Sequence, residues 1–143
     1  MTSFGTLALI TAACLSAAAA MAHLACIVGG APVYRFMGAG ERMARAAKAG
    51  HLRPTLMTLA IAAVLALWAA FALSGAGLIA MLPLTKPALV AIAAVLYVRA
   101  LGFSLLKSRF PENSDAFWWV SSGICGVMAT LFAGGAAARW SAL

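Results

Sequence analysis

Acidic residues are almost missing from this chain: Glu41, Glu112 and Asp115 are the only three among 143 residues. Charged residues of both signs make up 9%, while hydrophobic residues make up 65%. So few charges cannot solvate the surface of an ordinary water-soluble domain, and the composition belongs in a lipid bilayer. Cysteine is scarce too, and Cys14, Cys26 and Cys125 form no CxxC pair. That excludes a disulfide framework and a structural zinc site as organising features. Histidine occurs only at His23 and His51. The formal charge of +7 would suggest nucleic acid in a soluble protein. Here the basic residues flank apolar runs, where their partner is the anionic headgroup surface of a membrane, and no nucleic-acid partner is expected.

What the chain has in plenty is long apolar runs. A helix needs roughly 20 apolar residues to cross the ~30 Å hydrocarbon core, and four stretches meet that: about Thr6–Val28, Thr55–Leu73, Pro87–Leu106 and Asp115–Ala137. The expected fold is all-α, a single polytopic domain with four transmembrane helices in one bundle. No Lys or Arg precedes the first run, so it reads as a retained helix and not as a cleaved signal peptide. Pro54 opens the second run and Ser74-Gly-Ala-Gly77 closes it. Thr85 is a plausible N-cap for the third, with Pro87 in the first turn, where its missing N–H costs nothing. Asn113 or Ser114 caps the fourth, and Asp115 suits the positive end of its dipole.

The long break in this pattern is the connector 29–54, with Arg35, Arg42, Arg45, Lys48 and Arg53; the connector 107–114 adds Lys107 and Arg109. Only Lys86 and Arg139 flank the opposite ends. Basic residues close to membrane spans stay on the cytoplasmic side, so both connectors face the cytoplasm and both termini face away from it. The abundant Ala, Gly and Arg suggest a GC-rich bacterial gene and hence a multi-pass protein of the inner membrane. Within the first connector, 41–49 reads as a short surface helix with Glu41, Arg42, Arg45 and Lys48 on one side and Met43, Ala46 and Ala47 on the other. Tyr34, Phe36 and Trp140 are placed as interfacial anchors. Leu78–Leu84 is apolar but too short to span; it extends the second helix or lies along the interface. Small residues recur every fourth position at Ser122, Gly126, Thr130 and Gly134, and at Ala62, Ala66, Ala70 and Ser74. Such faces bring helix backbones close together, inside a bundle or in a homo-oligomer.

Polar residues inside the spans carry the functional reading. Arg99 lies about eight residues from Lys107, or about 12 Å below the helix end, at a depth that costs roughly 2.5 to 3.5 kcal/mol even on the mildest scale. His23, Ser122 and Cys125 fall at comparable depth, with Ser121 and Thr58. These residues suggest a cytoplasm-facing polar pocket lined by His23, Arg99, Cys125 and Ser122, with Glu41 or Asp115 as counter-charge at its mouth. The competing reading is structural: Arg99 snorkels, or pairs with Asp115 or backbone carbonyls, and His23 bonds a neighbouring helix. His23 and Cys26 have the i, i+3 spacing of a metal-ligand pair, but a site takes three or four ligands and no second pair exists. A heme would need a second axial donor at the depth of His23, and His51 lies in the connector. No metal is therefore expected, and the sequence does not identify a cofactor. Catalysis through Cys26 or Cys125 would need a base and oxyanion donors, which the sequence does not identify.

Four short spans resemble the small multidrug transporters, whose first helix carries a membrane-embedded Glu; the first helix here has no acid. Glu41-Arg42-Met43-Ala44-Arg45-Ala46, with Pro54 then opening the second helix, resembles the ERxxRA stretch of the MAPEG membrane enzymes, and Tyr97-Val98-Arg99 is similar to a tyrosine-arginine pairing of that family. Ala49, Gly50 and His51 stand where that family has its Asn and Glu. The resemblance implies a trimer of four-helix chains holding a glutathione-like anion through Arg45 and Arg99. The expected function is small-molecule binding or transport through the cytoplasm-facing pocket. The alternatives are a membrane enzyme of the MAPEG kind and a scaffold subunit with no small-molecule site.

Overall fold

The computed structural model describes residues 3–143, all helix and connecting turns with no strand among them. The elements are α1 (Phe4–Gly29), α2 (Ala31–Phe36), α3 (Glu41–Lys48), α4 (Leu52–Ala76), α5 (Thr85–Leu101), α6 (Phe103–Lys107) and α7 (Asp115–Ala138). Three of them, α1, α4 and α7, are long and apolar enough to cross a membrane. α5 is shorter than expected, 17 residues, or about 26 Å at 1.5 Å per residue. The run that reads as one span to Leu106 is interrupted at Gly102, where a Cβ would stand 2.8 Å from the Val98 carbonyl oxygen, and the chain restarts as α6.

The starts and stops follow from local chemistry. Ser3 and Ser114 cap α1 and α7 by accepting from the backbone N–H of Thr6 and Phe117. α4 begins at Leu52, before Pro54, because a proline in the first turn loses no intrahelical bond. It runs on through Ser74 and Gly75 and stops at Gly77, in the left-handed conformation with φ 78°. The stretch Leu78–Leu84 is a non-helical loop and does not extend α4. Thr85 is not the cap of α5: Leu84 occupies that position at φ 63°, and the Thr85 hydroxyl donates to the Leu82 carbonyl (2.8 Å) and meets Ser74 Oγ (3.1 Å). Ser74 Oγ in turn accepts from the Leu82 N–H at 2.8 Å, tying the loop to α4.

α1 packs most extensively on α4 and also on α7, α5 packs on α7 and on α4, and α1 and α5 do not touch. The four long helices are therefore antiparallel neighbours around a ring, with α1 and α5 diagonal. One end of the ring carries both connectors; we call it the connector end and its opposite the far end. The main core is biased to the far end: Leu9, Ala12 and Ala13 of α1, Ala69, Ala72 and Ala76 of α4, Leu89, Ile92 and Leu96 of α5, and Ala129, Phe132 and Ala136 of α7. Glycines allow this close approach. A Cβ on Gly135 would lie 2.6 Å from Leu9 Cγ, and one on Gly5 would lie 2.8 Å from Arg139 Cγ. Arg139 closes the far end by donating to the Gly75 carbonyl at the end of α4 (2.6 Å) and to Thr6 Oγ1 on α1 (2.7 Å).

The α7 stripe lies partly against α5 within this chain: Gly126 faces Ala100, and Thr130 Oγ1 meets the Tyr97 hydroxyl at 3.1 Å. Of the α4 stripe Ala62 and Ser74 are buried, Ala70 is half-buried and Ala66 is exposed, and the other buried small residues of that helix are Ala69, Ala72, Gly75 and Ala76. A second cluster at the connector end joins Cys26 to Ala31, Tyr34 and Ala44. Tyr34 is thus not an interfacial anchor. It is 3% exposed and its hydroxyl accepts from Thr58 Oγ1 at 3.1 Å, whereas Phe36 is 82% exposed. α3 turns Arg42, Arg45 and Lys48 outward and packs Ala44, Met43 and Ala47 inward. Asn113 donates to the Gly38 carbonyl (3.1 Å), so the two connectors are held together.

Candidate functional site

On α5, Leu89, Ile92, Leu96 and Arg99 follow one another at steps of three and four, which places them on one helical face. The first three are buried in the core, so Arg99 continues the inward face one turn past the core, toward the connector end. On α7 the residues Trp118, Ser122, Cys125 and Ala129 make the matching face, with Trp118 and Ser122 buried and Cys125 half-buried. The two faces meet at the arginine. Its Nη2 donates to Ser121 Oγ at 3.2 Å and its Nη1 to Ser122 Oγ at 3.4 Å, and the guanidinium lies over the Trp118 ring at 5.3 Å.

These partners are weak ones for a full charge. Two hydroxyl dipoles at the long end of the hydrogen-bond range and one aromatic face leave three of the five N–H donors of the guanidinium without a protein acceptor among the described residues. No carboxylate pairs with Arg99 among the described residues. Both expected counter-charges are engaged elsewhere. Glu41 accepts from Arg35 Nε (2.8 Å) and Nη2 (2.9 Å), with Arg45 Nε at 3.9 Å. Asp115 pairs with Lys107 across the turn after α6. The hydrogen bonds from Arg35 hold the Glu41 carboxyl below the ordinary glutamate range.

Of the residues expected to share a pocket, the structure brings together Arg99, Ser122 and Cys125 and leaves His23 apart. His23 is half-buried on α1, diagonal to α5, and its Nδ1 lies 2.7 Å from the Ala19 carbonyl of its own helix. Cys26 likewise bonds back along α1, to Ala22. Neither bonds to a neighbouring helix: the carbonyl one turn back, which has a second lone pair beside its ladder hydrogen bond, is the nearest acceptor for a short polar side chain on a helix. Thr58, expected at the same level, is taken by Tyr34. Arg45 lies on α3, which packs against α2 and α4 and not against α5, so Arg45 and Arg99 are not brought together within one chain. The Tyr97 hydroxyl is engaged by Thr130. Among the described residues no group of three or more His, Cys, Asp or Glu side chains is placed to hold a metal.

Ser121, which the sequence places at the depth of Arg99, makes the shorter of the two serine bonds to it. The contributor that the sequence reading lacks is Trp118, which supplies the aromatic platform. Trp118 was detectable, standing one turn before Ser122 on the same face. Its indole Nε1 is buried with no hydrogen-bond partner among the described residues, as is the hydroxyl of Ser16 on α1. The grooves at the bundle surface are lined by apolar side chains: Val90, Ala93, Ala133, Ala136, Ala137 and Trp140 between α5 and α7, and Ala60, Ile61, Val64, Leu65 and Trp68 along α4. Comparisons of the chain with protein-family profiles, curated proteins and solved structures found no match.

Proposed function

We propose that this chain is a four-span protein of a bacterial inner membrane, connector end toward the cytoplasm, that binds a small anionic molecule at Arg99 between the α1–α4 and α5–α7 pairs. The observation that carries this reading is an inward-facing arginine at the edge of the core with no carboxylate partner among the described residues, while Glu41 and Asp115 are both held by other bases. A charge in that position is costly unless an anion reaches it, and a guanidinium fits a carboxylate or a phosphate through two parallel N–H donors. Ser121 and Ser122 would orient the anion and Trp118 would support the guanidinium plane. The fourth span in this reading is α5 continued through α6, and the exposed Arg42, Arg45 and Lys48 of α3 lie against anionic headgroups. The apolar far end makes binding the simpler role than passage through the bundle.

Native mass spectrometry of the protein released from mild detergent tests this, with wild type compared with Arg99→Leu and Arg99→Lys. The reading expects a discrete non-lipid anion on wild type, absent from Arg99→Leu and partly retained by Arg99→Lys. Lipid adducts alone, equal in all three proteins, would leave Arg99 as a structural residue and favour a scaffold subunit. Unfolding midpoints measured on the same samples separate loss of ligand from loss of fold.

A further inference from the structure

The slot between α5 and α7 at the far end ends in a cation. Its floor is Ala93 and Ala136, both buried, and its walls are Val90 and Trp140, 48% and 50% exposed, so it opens outward and not into the core. Alanines at Ala133 and Ala137 keep it narrow and unfilled. One turn deeper, the Tyr97–Thr130 hydroxyl pair bridges the two helices below it. At the outer end Lys86, one turn before Val90, places its Nζ 4.5 Å from the Trp140 ring centroid.

Lys86 has no carboxylate partner among the described residues. It also stands in the first turn of α5, where the positive end of the helix dipole disfavours a cation and favours an anion. The aromatic face that holds the ammonium in place does not neutralise it. A negative group beside Lys86 would therefore be favoured twice, by the ammonium and by the helix end. The rest of the slot accepts only hydrocarbon. From Lys86 to Ala93 is about 10 Å along the helix axis, so the cation and the deepest alanine lie as far apart as a headgroup and the upper part of its acyl chain.

We propose that this slot is a site for one anionic phospholipid, with its phosphate on Lys86 beside Trp140 and an acyl chain along Val90, Ala93, Ala133 and Ala137. It is separate from Arg99, at the other end of the same helix pair, and does not depend on the anion-binding role given to that residue. Charge complementarity at one end and an all-apolar lining at the other identify the occupant.

The test is native mass spectrometry of the detergent-solubilised full chain titrated with phosphatidylglycerol or with phosphatidylcholine. Four proteins are compared with wild type: Lys86→Gln, Ala137→Phe to fill the slot from its exposed side, Val127→Phe on the exposed face of α7 away from the slot, and Arg99→Leu. The expected result is that one phosphatidylglycerol adduct falls several-fold in Lys86→Gln and Ala137→Phe and is unchanged in Val127→Phe and Arg99→Leu, with phosphatidylcholine bound more weakly than phosphatidylglycerol by wild type. Equal phosphatidylglycerol occupancy in all five proteins overturns the proposal, as does equal binding of the two lipids by wild type. Loss of a protein dimer in Ala137→Phe with lipid occupancy unchanged also overturns it, and would give the slot to a second copy of the chain. Matching unfolding midpoints across the set show that the adduct, and not the fold, has changed.

Discussion

Gly123 and Gly135 lie twelve residues apart on α7, and the same substitution should act on them with opposite sign. At Gly123 a Cβ meets nothing within 4 Å. Alanine there removes the helix penalty of glycine, a gain of about 1 kcal/mol. At Gly135 the new Cβ would stand 2.6 Å from Leu9 Cγ, 2.9 Å from Leu9 Cδ2 and 3.3 Å from the Gly5 carbonyl oxygen. Ordinary carbon contacts are about 3.5 to 4.0 Å, so α1 and α7 must separate by about 1 Å. Leu9 is fully buried, so it cannot relieve the contact by turning out into solvent. Overpacking of this kind costs roughly 1 to 3 kcal/mol; set against the same propensity gain of about 1 kcal/mol, Gly135→Ala should lose up to about 2 kcal/mol. The two variants should then differ by the overpacking cost alone, roughly 1 to 3 kcal/mol, or about 5- to 150-fold in the unfolding equilibrium at 1.4 kcal/mol per factor of ten. Titration of mixed micelles with SDS, followed by far-ultraviolet circular dichroism, measures this directly. In a Leu9→Ala background both contacts with the leucine side chain are gone and only the 3.3 Å approach to the Gly5 carbonyl oxygen remains, so Gly135→Ala should become neutral or stabilising. Equal stability of Gly123→Ala and Gly135→Ala would refute the close crossing of α1 on α7, and with it the reason the core is tightest at the far end.

Thr58→Val leaves the buried Tyr34 hydroxyl without its partner and should cost about 1 to 3 kcal/mol in the same titration, with Tyr34→Phe in the same background recovering part of the loss. Glu41 has a carboxyl held below its unfolded value by Arg35, so the pair contributes to connector stability above the ordinary glutamate range and ceases to do so as pH falls through the lower, folded value. The thermal midpoint of wild type should therefore fall toward Glu41→Gln on acidification, with the difference also reduced near 1 M salt because the pair is exposed and screened. A constant difference from pH 7 to pH 3 would count against the pair.

The bilayer class, the helical fold, the two basic connectors and most helix limits were readable from residues in order, because each depends on interactions within a turn or two of chain. Apolar length, Ser114 as a cap, Pro87 in a first turn and the surface helix at Glu41–Lys48 are all local facts. Arg99 also stood out, since its depth in an apolar run is a property of sequence. What surrounds Arg99 was readable only in part: Ser121 and Ser122 lie beside it as their depth suggests, whereas His23 and both carboxylates do not. Depth along a helix gives one coordinate, and residues at equal depth meet only if their helices are neighbours and their faces point at one another. The packing order set α1 diagonal to α5, so His23 and Arg99 share a level without sharing a site. Glu41 and Asp115 went to the nearer bases Arg35 and Lys107 because an exposed carboxylate pairs with the cation its backbone brings closest. The bond from Arg139 to Thr6 and the glycine crossings at Gly5 and Gly135 join residues more than a hundred positions apart. Such pairings leave no trace in local periodicity. Composition and spacing decided that this chain is helical and belongs in a membrane; only tertiary packing decided that the inward-facing Arg99 has no carboxylate beside it among the described residues, because that depends on which helix lies beside which.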